Sequence, residues 1–404
     1  MQKAVRVFVL LFSILVVIVI LSLWKKSDRK NAIAELETRF GAQLSIQEKE
    51  FYLGCSSPDL KDLREFADLV KRVGDPDILD LTGAPALATL AGVEKLKSLT
   101  SIVAIDCPSL VSAEGVAGLP VLTQLAFTDS AQLTDVSAIR DLPGLVTLDL
   151  SGCVGIASLD LVGLPALENL YLSRCRQLKD LDVSAFPGLR QLYTDGCAGL
   201  TTIAGLGNLG ALTDLDVSNA SGLTHLEGIE NLAELIVLDL RNVEIKDFSG
   251  IARLPKLRVL RMGGQESIET LEPFTSLQSL RELHLEACPN LHSLKGIPSG
   301  VSQYAGFTYC PKLVSLDGIE AAGGLEHLDV TGCENLAEVG AVAKLPNLVQ
   351  ISLVKCRGVT AVPFVETLAK LRIVMLGGSG VVPVTVEGLP LANEELIFDF
   401  TVSE

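Results

Sequence analysis

Nine cysteines are the residues best equipped for chemistry, and eight of them share one address in the sequence. In GLVTLDLSGC (Gly144 to Cys153) and GLEHLDVTGC (Gly324 to Cys333) the thiol follows the same pattern of leucines at the same offset. Counting the first leucine of L-x-x-L-x-L-x-x-C as position one, position nine holds Cys107, Cys153, Cys175, Cys197, Cys288, Cys310, Cys333 and Cys356. A zinc site needs ligands converging on one point, as in paired C-x-x-C units, whereas this spacing puts one thiol in each layer along a line about 4.8 Å apart. Spacing alone leaves disulfides between neighbouring layers open, but a shared inward direction and the run Cys153, Cys175, Cys197 favour a ladder of buried thiols. Catalytic use is disfavoured because an inward thiol has no access to substrate. Cys55 alone lies outside the frame, where it is either exposed or part of an N-terminal capping layer.

The frame extends well beyond the cysteines. It fits from Leu99, Leu122, Leu145, Leu167, Leu189, Leu212, Leu235, Leu257, Leu280, Leu325, Leu348 and Leu371, and in degraded form from Pro76 and Ser302. About fourteen repeats of 22 or 23 residues result, with Ala84, Ser130, Ala220, Val243, Gln265 and Ser379 at the other ninth positions. In L-x-L the side chains alternate across a strand, so Leu148 and Leu150 point inward and Asp149 outward. The chain then leaves the strand at SGC. There its backbone groups are stranded beside the core unless a small inward side chain satisfies them, and a thiol is a small apolar body with a weak donor. Prolines two residues before the next frame (Pro120, Pro143, Pro165, Pro187, Pro255, Pro346) keep a helix from running into the strand.

This signature resembles the leucine-rich repeat family over about four fifths of the chain, most of all the internalin and phosphatase-regulator type, with Cys where Asn is usual. The resemblance implies an α/β solenoid with a curved parallel β-sheet on its concave side and an irregular or 3₁₀ convex side.

Function is then expected on the concave sheet. The fifth positions run Asp80, Val103, Ala126, Asp149, Tyr171, Tyr193, Asp216, Asp239, Arg261, His284, Gly306, Asp329, Ser352 and Met375. Asp195, Arg241 and Glu286 join from the seventh position and Asn169, Asp214, Glu282, Tyr304 and His327 from the third. Tyrosine flanked by Asp and Arg suits protein recognition, because rings give rigid contact area and charges select the partner. The candidate partner-binding residues are Asp149, Tyr171, Tyr193, Asp195, Asp216, Asp239, Arg241, Arg261, His284, Tyr304 and Asp329. The plainer reading is a row of ordinary solvated strand residues. Asp216 beside Asp239 argues against it, since like charges on adjacent strands repel unless Arg241, Arg261 or a partner's cation relieves them. His284 and His327 are too far apart in the stack for a metal pair and read as bystanders.

Outside the repeats, the expected layout is a basic tail (1–6), a transmembrane signal anchor (7–24), a juxtamembrane segment and cap (25–75), the repeats (76–382) and a C-terminal cap or tail (383–404). VFVLLFSILVVIVILSLW, eighteen residues between Arg6 and Lys25, would span roughly 27 Å of a ~30 Å hydrocarbon core as a helix. No small-residue cleavage site closes it. In the cap, LSIQEKEFYL (Leu44 to Leu53) alternates as one strand, and a helix is expected with Ser57 as N-cap, Pro58 at its first position and Gly74 as the stop. Leu396 to Phe400 reads as a short terminal strand.

A formal net charge of -16 argues against nucleic acid. No phosphate loop, G-x-S-x-G or H-E-x-x-H is present, so an enzyme, a cofactor and a small-molecule substrate are not expected. The sequence predicts a membrane-anchored module that binds a protein partner, or alternatively a scaffold subunit of an envelope assembly that uses its convex face or edges. The short basic region before the apolar helix favours repeats on the periplasmic side of a bacterial inner membrane, whereas KKSDRK after it and the free cysteines favour the cytoplasm.

Overall fold

The computed structural model describes residues 25–47, 50–386 and 389–401. The segment expected to be a transmembrane anchor lies outside the described residues, and no described helix is long and apolar enough to cross a membrane. The chain divides into two compact units, one running to Ile156 with Asp160–Leu167, the other comprising Ala157–Leu159 and Glu168 onward.

The first unit begins with helical residues 25–40, whose Ala32, Leu36 and Phe40 are buried. Strands Gln43–Gln47 and Glu50–Gly54 then pair antiparallel, so the stretch expected to be one strand is a hairpin. Its centre, Gln47 to Glu50, is four polar residues in a row and offers no apolar side chain to a layer. The helix that follows is Arg64–Val73, later than expected. Ser57 accepts the Asp59 N–H at 3.3 Å and closes a local turn instead of capping the helix, while Asp62 Oδ1 accepts the Arg64 N–H at 2.9 Å. Gly74 ends the helix with its N–H on the Val70 carbonyl, and Leu60, Leu63, Ala67 and Val70 are buried beneath it. From Tyr52–Gly54 the sheet continues in parallel through Ile78–Asp80, Ser101–Val103, Gln124–Ala126 and Thr147–Asp149.

In the second unit, strands Asn169–Tyr171, Gln191–Tyr193, Asp214–Asp216, Val237–Arg241, Val259–Gly263 and Glu282–Glu286 pair in parallel in sequence order. Tyr304–Thr308, His327–Asp329, Gln350–Ser352, Ile373–Met375 and Ile397–Asp399 continue the series. Fifth position pairs with fifth position throughout, as in Asp216 with Asp239 and Arg261 with His284. Leu238, Leu240, Leu283 and Leu285 at the fourth and sixth positions are buried. On the far side, 3₁₀ turns such as Leu206–Asn208, Ile229–Asn231 and Ile319–Ala321 follow Gly205, Gly228 and Gly318, each in the left-handed region.

The turn out of each strand is where sequence and packing meet. Position eight has positive φ in all fourteen repeats: Gly83, Gly152, Gly196, Gly264, Gly332 and Gly378, and otherwise Asp106, Asp129, Arg174, Asn219, Asn242, Ala287, Tyr309 and Lys355. That conformation carries position nine inward. Five of the thiols there reach the sixth-position carbonyl of the preceding repeat: Cys107 Sγ to Leu81 at 3.2 Å, Cys153 to Phe127 at 3.1 Å, Cys197 to Leu172 at 3.0 Å, Cys333 to Phe307 at 2.9 Å and Cys356 to Val330 at 3.1 Å, whereas Cys288 and Cys310 turn to the Glu286 and Thr308 carbonyls of their own repeats. Ser130 does the same to Ala104 at 3.0 Å, and Gln265 Nε2 donates to the Val243 and Gly263 carbonyls while its Oε1 takes the Ile245 N–H at 3.1 Å. All nine cysteines are free and buried. Cys55, expected to be the one exposed thiol or a capping-layer residue, is buried and donates to the Phe40 carbonyl at 3.2 Å.

A non-glycine residue in the left-handed region costs about 1–2 kcal/mol, and Ala287 at φ 50° has no polar side chain to offset it. Ala287→Gly is therefore expected to raise the denaturation midpoint, by up to about 1 kcal/mol of stability, whereas Ala305→Gly in a buried strand position lowers it. Loss of stability in Ala287→Gly would contradict this reading of the turn.

Candidate partner-binding face

The expected fifth-position row lies on the open face of the sheet in the expected register. Asp149 belongs to the first unit and the other ten candidate residues to the second. Tyr171, Tyr193, Asp195, Asp216, Arg261, His284, Tyr304 and Asp329 are half-buried and Arg241 is exposed.

The carboxylates in this row have a task that alternation does not reveal. Asp149 Oδ1 accepts the Ser151 N–H at 2.8 Å, Asp216 that of Ser218 at 2.8 Å, Asp239 that of Arg241 at 3.1 Å and Asp329 that of Thr331 at 2.9 Å. Asp80 and Asp399 hold Thr82 and Thr401 in the same way. Each aspartate thus closes the turn that follows its own strand. Asp239 goes further than the outward placement expected of it: it is buried, 3% exposed, under Arg241, whose Nη2 lies 2.7 Å from its Oδ2. Arg241 thereby relieves one of the two like charges. Burial pushes the Asp216 carboxyl above its ordinary value, and the charges of Asp239 and Asp195 add to the shift. Asp195, at the seventh position, accepts the Ser173 hydroxyl.

Two groups of side chains remain to face a partner. Tyr171 and Tyr193 stand with ring centroids 5.3 Å apart at 41°, and the Tyr171 hydroxyl donates to Gln191 Oε1 at 2.6 Å. Further along, Arg241, Arg261, His284, Glu286, Tyr304 and Asp329 line one open cleft of about 320 Å³. His284, one of the candidate partner-binding residues, is stacked on Tyr304 with centroids 4.4 Å apart and 22° between planes, and its Nε2 lies 3.3 Å from Glu282 Oε2. Burial holds the His284 pKa below its ordinary value against the opposing pull of Glu282, which keeps the ring neutral near pH 7. Arg261 has only a 3.9 Å contact with Glu282, leaving its guanidinium the less committed of the two arginines. Among the described residues no cluster of His, Cys, Asp and Glu could hold a metal ion.

Sequence reasoning gave no site role to Glu282 or Gly306. A glycine in the middle of a strand was the visible signal: a Cβ on Gly306 would lie 2.7 Å from the Tyr304 ring, so only glycine lets that ring lie across the sheet.

Fourteen left-handed turns, one-per-layer parallel strands and 3₁₀ segments opposite them define the class of this chain, a leucine-rich repeat solenoid. Among solved structures it is similar to an internalin, InlF, of Listeria monocytogenes, 18% identical over 77% of this chain and 89% of that one, with a TM-score of 0.49. It is also similar to the functional domain of InlJ from Listeria monocytogenes, which includes a cysteine ladder, at 19% identity over 75% and 68% with a TM-score of 0.44. A leucine-rich repeat protein of Leptospira interrogans is 16% identical over 84% and 100% with a TM-score of 0.38. No family model matches the chain, and no curated protein does. The class therefore rests on the chain's own repeat geometry.

Because the folded pKa of Asp216 lies above the unfolded value of about 3.9, the native state holds its proton more tightly, so this group's contribution to stability falls as pH rises between the two values. Asp216→Asn keeps the acceptor for Ser218 and removes the buried charge. The variant is expected to melt higher than the parent at pH 7, with the difference shrinking toward zero near pH 3.5. An equal or lower melting temperature at pH 7 would contradict the assignment.

Proposed function

We propose that the chain is a membrane-anchored protein-binding module that presents the concave sheet face of its second unit to a protein partner. The observation that carries the reading is the division of labour on that face: the aspartates are spent on turns, while Tyr171, Tyr193, Arg261, His284 and Tyr304 form a semi-rigid aromatic and cationic surface. Aromatic rings and arginine are the side chains that anchor protein interfaces. Anchoring is supported by the apolar segment after Arg6, long enough as a helix to span a bilayer. The short basic region before that segment supports an inner-membrane protein of a bacterium with its repeats in the periplasm. A protein that binds partners needs no catalytic group, and none is assigned.

The alternative is a scaffold subunit that touches its assembly through the convex side. Photo-crosslinking residues placed at Tyr193 or Arg261, and separately at Glu230 or Lys344 on the 3₁₀ side, decide between them in intact cells. The binding reading predicts one recurrent adduct with an envelope protein from Tyr193 and Arg261 and none from Glu230 and Lys344. Adducts only from the 3₁₀ side would favour the scaffold, and an adduct with a cytosolic protein would overturn the periplasmic placement.

A further inference from the structure

Within the second unit, a second open cleft of about 460 Å³ adjoins the one described above and is walled by Tyr304, Tyr309, His327 and Met375 around the carboxylate of Asp329. No lysine or arginine lines it. A comparable arrangement occurs in the first unit, and the difference between the two is informative. In both, a tyrosine lies across the glycine two residues on and points its hydroxyl at the fifth-position aspartate of the next layer: Tyr52 over Gly54 toward Asp80, and Tyr304 over Gly306 toward Asp329.

In the first case both carboxylate oxygens are held by short bonds. Asp80 Oδ2 takes the Tyr52 hydroxyl at 2.5 Å and its Oδ1 takes the Thr82 N–H at 2.9 Å. That bond pushes Tyr52 up to about 12, and burial together with the Asp329 charge and bond pushes Tyr304 up as well, so it is the length of the bond that separates the two sites. In the second case one oxygen is held only by a long bond. Asp329 Oδ1 takes the Thr331 N–H at 2.9 Å and the Thr331 hydroxyl at 2.6 Å, but Oδ2 has only the Tyr304 hydroxyl at 3.3 Å, beyond the usual range for O–H···O bonds. A carboxylate has about four acceptor positions, so Oδ2 has capacity to spare and faces a cleft with aromatic walls.

Tyr309 supplies a second, independent sign. It occupies the left-handed turn position where glycine or asparagine would be unstrained, and its ring, 48% exposed, lies directly over Gly332, where any Cβ would collide with it. The turn imposes that φ on every repeat, so what sets Tyr309 apart is a large, half-exposed ring at the rim of the cleft, where it adds contact surface.

We propose that this cleft is a subsite for one extended cationic side chain, lysine or arginine, of the protein partner, with Asp329 Oδ2 receiving the charged head and Tyr304 and Tyr309 flanking its stem. Apolar stem against rings and Met375, cation near ring faces, and charge on a carboxylate are the three contacts such a side chain seeks. A chain of net charge -16 selects for a partner that brings positive charge. The proposal rests on the concave-face reading and specifies what part of a partner that face takes.

The test uses the full chain in detergent micelles with ¹³C-labelled tyrosine, whose five tyrosines give five ring environments to follow by NMR. N-acetyl-lysine N-methylamide, the arginine analogue and the uncharged norleucine analogue are titrated in turn. The cationic probes are expected to shift the Tyr304 and Tyr309 signals saturably, the norleucine analogue to leave them in place, and about 0.5 M salt to weaken the effect. Asp329→Asn keeps the acceptor for Thr331 and is expected to weaken cationic binding at least about tenfold, with unchanged Tyr52, Tyr171 and Tyr193 signals reporting an intact fold. Equal shifts with norleucine, undiminished binding in Asp329→Asn, or no shift with either cation would overturn the subsite. Such a failure, with partner adducts still formed from Tyr193, would remove the subsite and leave the concave-face reading standing.

Discussion

Much of the stacking of the solenoid turns on one carbonyl, that of the sixth position, which a ninth-position side chain of the next layer reaches at Leu81, Ala104, Phe127, Leu172, Phe307 and Val330. It points out of the end of the strand into the core, and in a stack of short strands nothing in the regular ladder would satisfy it there. In those layers it can receive two donors. The Leu172 carbonyl takes the Cys175 N–H from its own turn at 3.1 Å and the Cys197 thiol from the next layer at 3.0 Å; the Val330 carbonyl takes Cys333 N–H at 3.2 Å and Cys356 Sγ at 3.1 Å. The first donor closes the turn and the second ties layer to layer. Both require position eight in the left-handed region, which accounts for the glycines there and for the strain tolerated at Ala287 and Tyr309. Once the core side of the turn is fixed this way, the open face is held on a rigid backbone and its residues are free to differ from one layer to the next.

Most of the sheet was legible because its constraint is periodic. Leucines at fixed offsets and a two-residue alternation assign Asp216, Asp239, Arg261 and His284 to neighbouring strands on one face, and their pairing follows that register. Direction, however, is all that a frame gives. That Asp149, Asp216, Asp239 and Asp329 each hold a backbone N–H two residues on is a local contact with no period of its own, so they read as recognition groups when they are turn-formers first. The Tyr304 ring over Gly306, and the His284 ring stacked on it, depend on side-chain conformation, which the residue letters do not carry. The cap was harder for a related reason. It has no repeat to set the register, so Ser57 and Pro58 resembled a helix start although the helix begins at Arg64, and a hairpin resembled one strand.

The same division explains why the face is suited to recognition. Turn bonds and the Arg241–Asp239 pair hold the row in place, and Asp239 is withdrawn from solvent altogether. What remains accessible is aromatic or loosely paired: Tyr193 beside Tyr171, Arg261 at 3.9 Å from Glu282, and Asp329 with an oxygen only weakly engaged. Groups of this kind lose little conformational freedom on binding because the scaffold has already ordered them.

The thiol at position nine is the element that links fold to stability, and its reactivity tests the account most directly. Burial pushes Cys153 and Cys356 up to about 12, whereas a neighbouring thiol holds each of Cys197, Cys288 and Cys333 below the ordinary value, so the protection shared by all nine is burial itself. The decisive measurement is the time course of alkylation of the reduced protein by iodoacetamide, with and without denaturant, followed by intact mass. The account predicts no labelling of the native chain on the timescale at which the unfolded chain takes up nine adducts, one for each cysteine. Rapid labelling of several native thiols, or recovery of disulfide-linked peptides from neighbouring repeats, would contradict it.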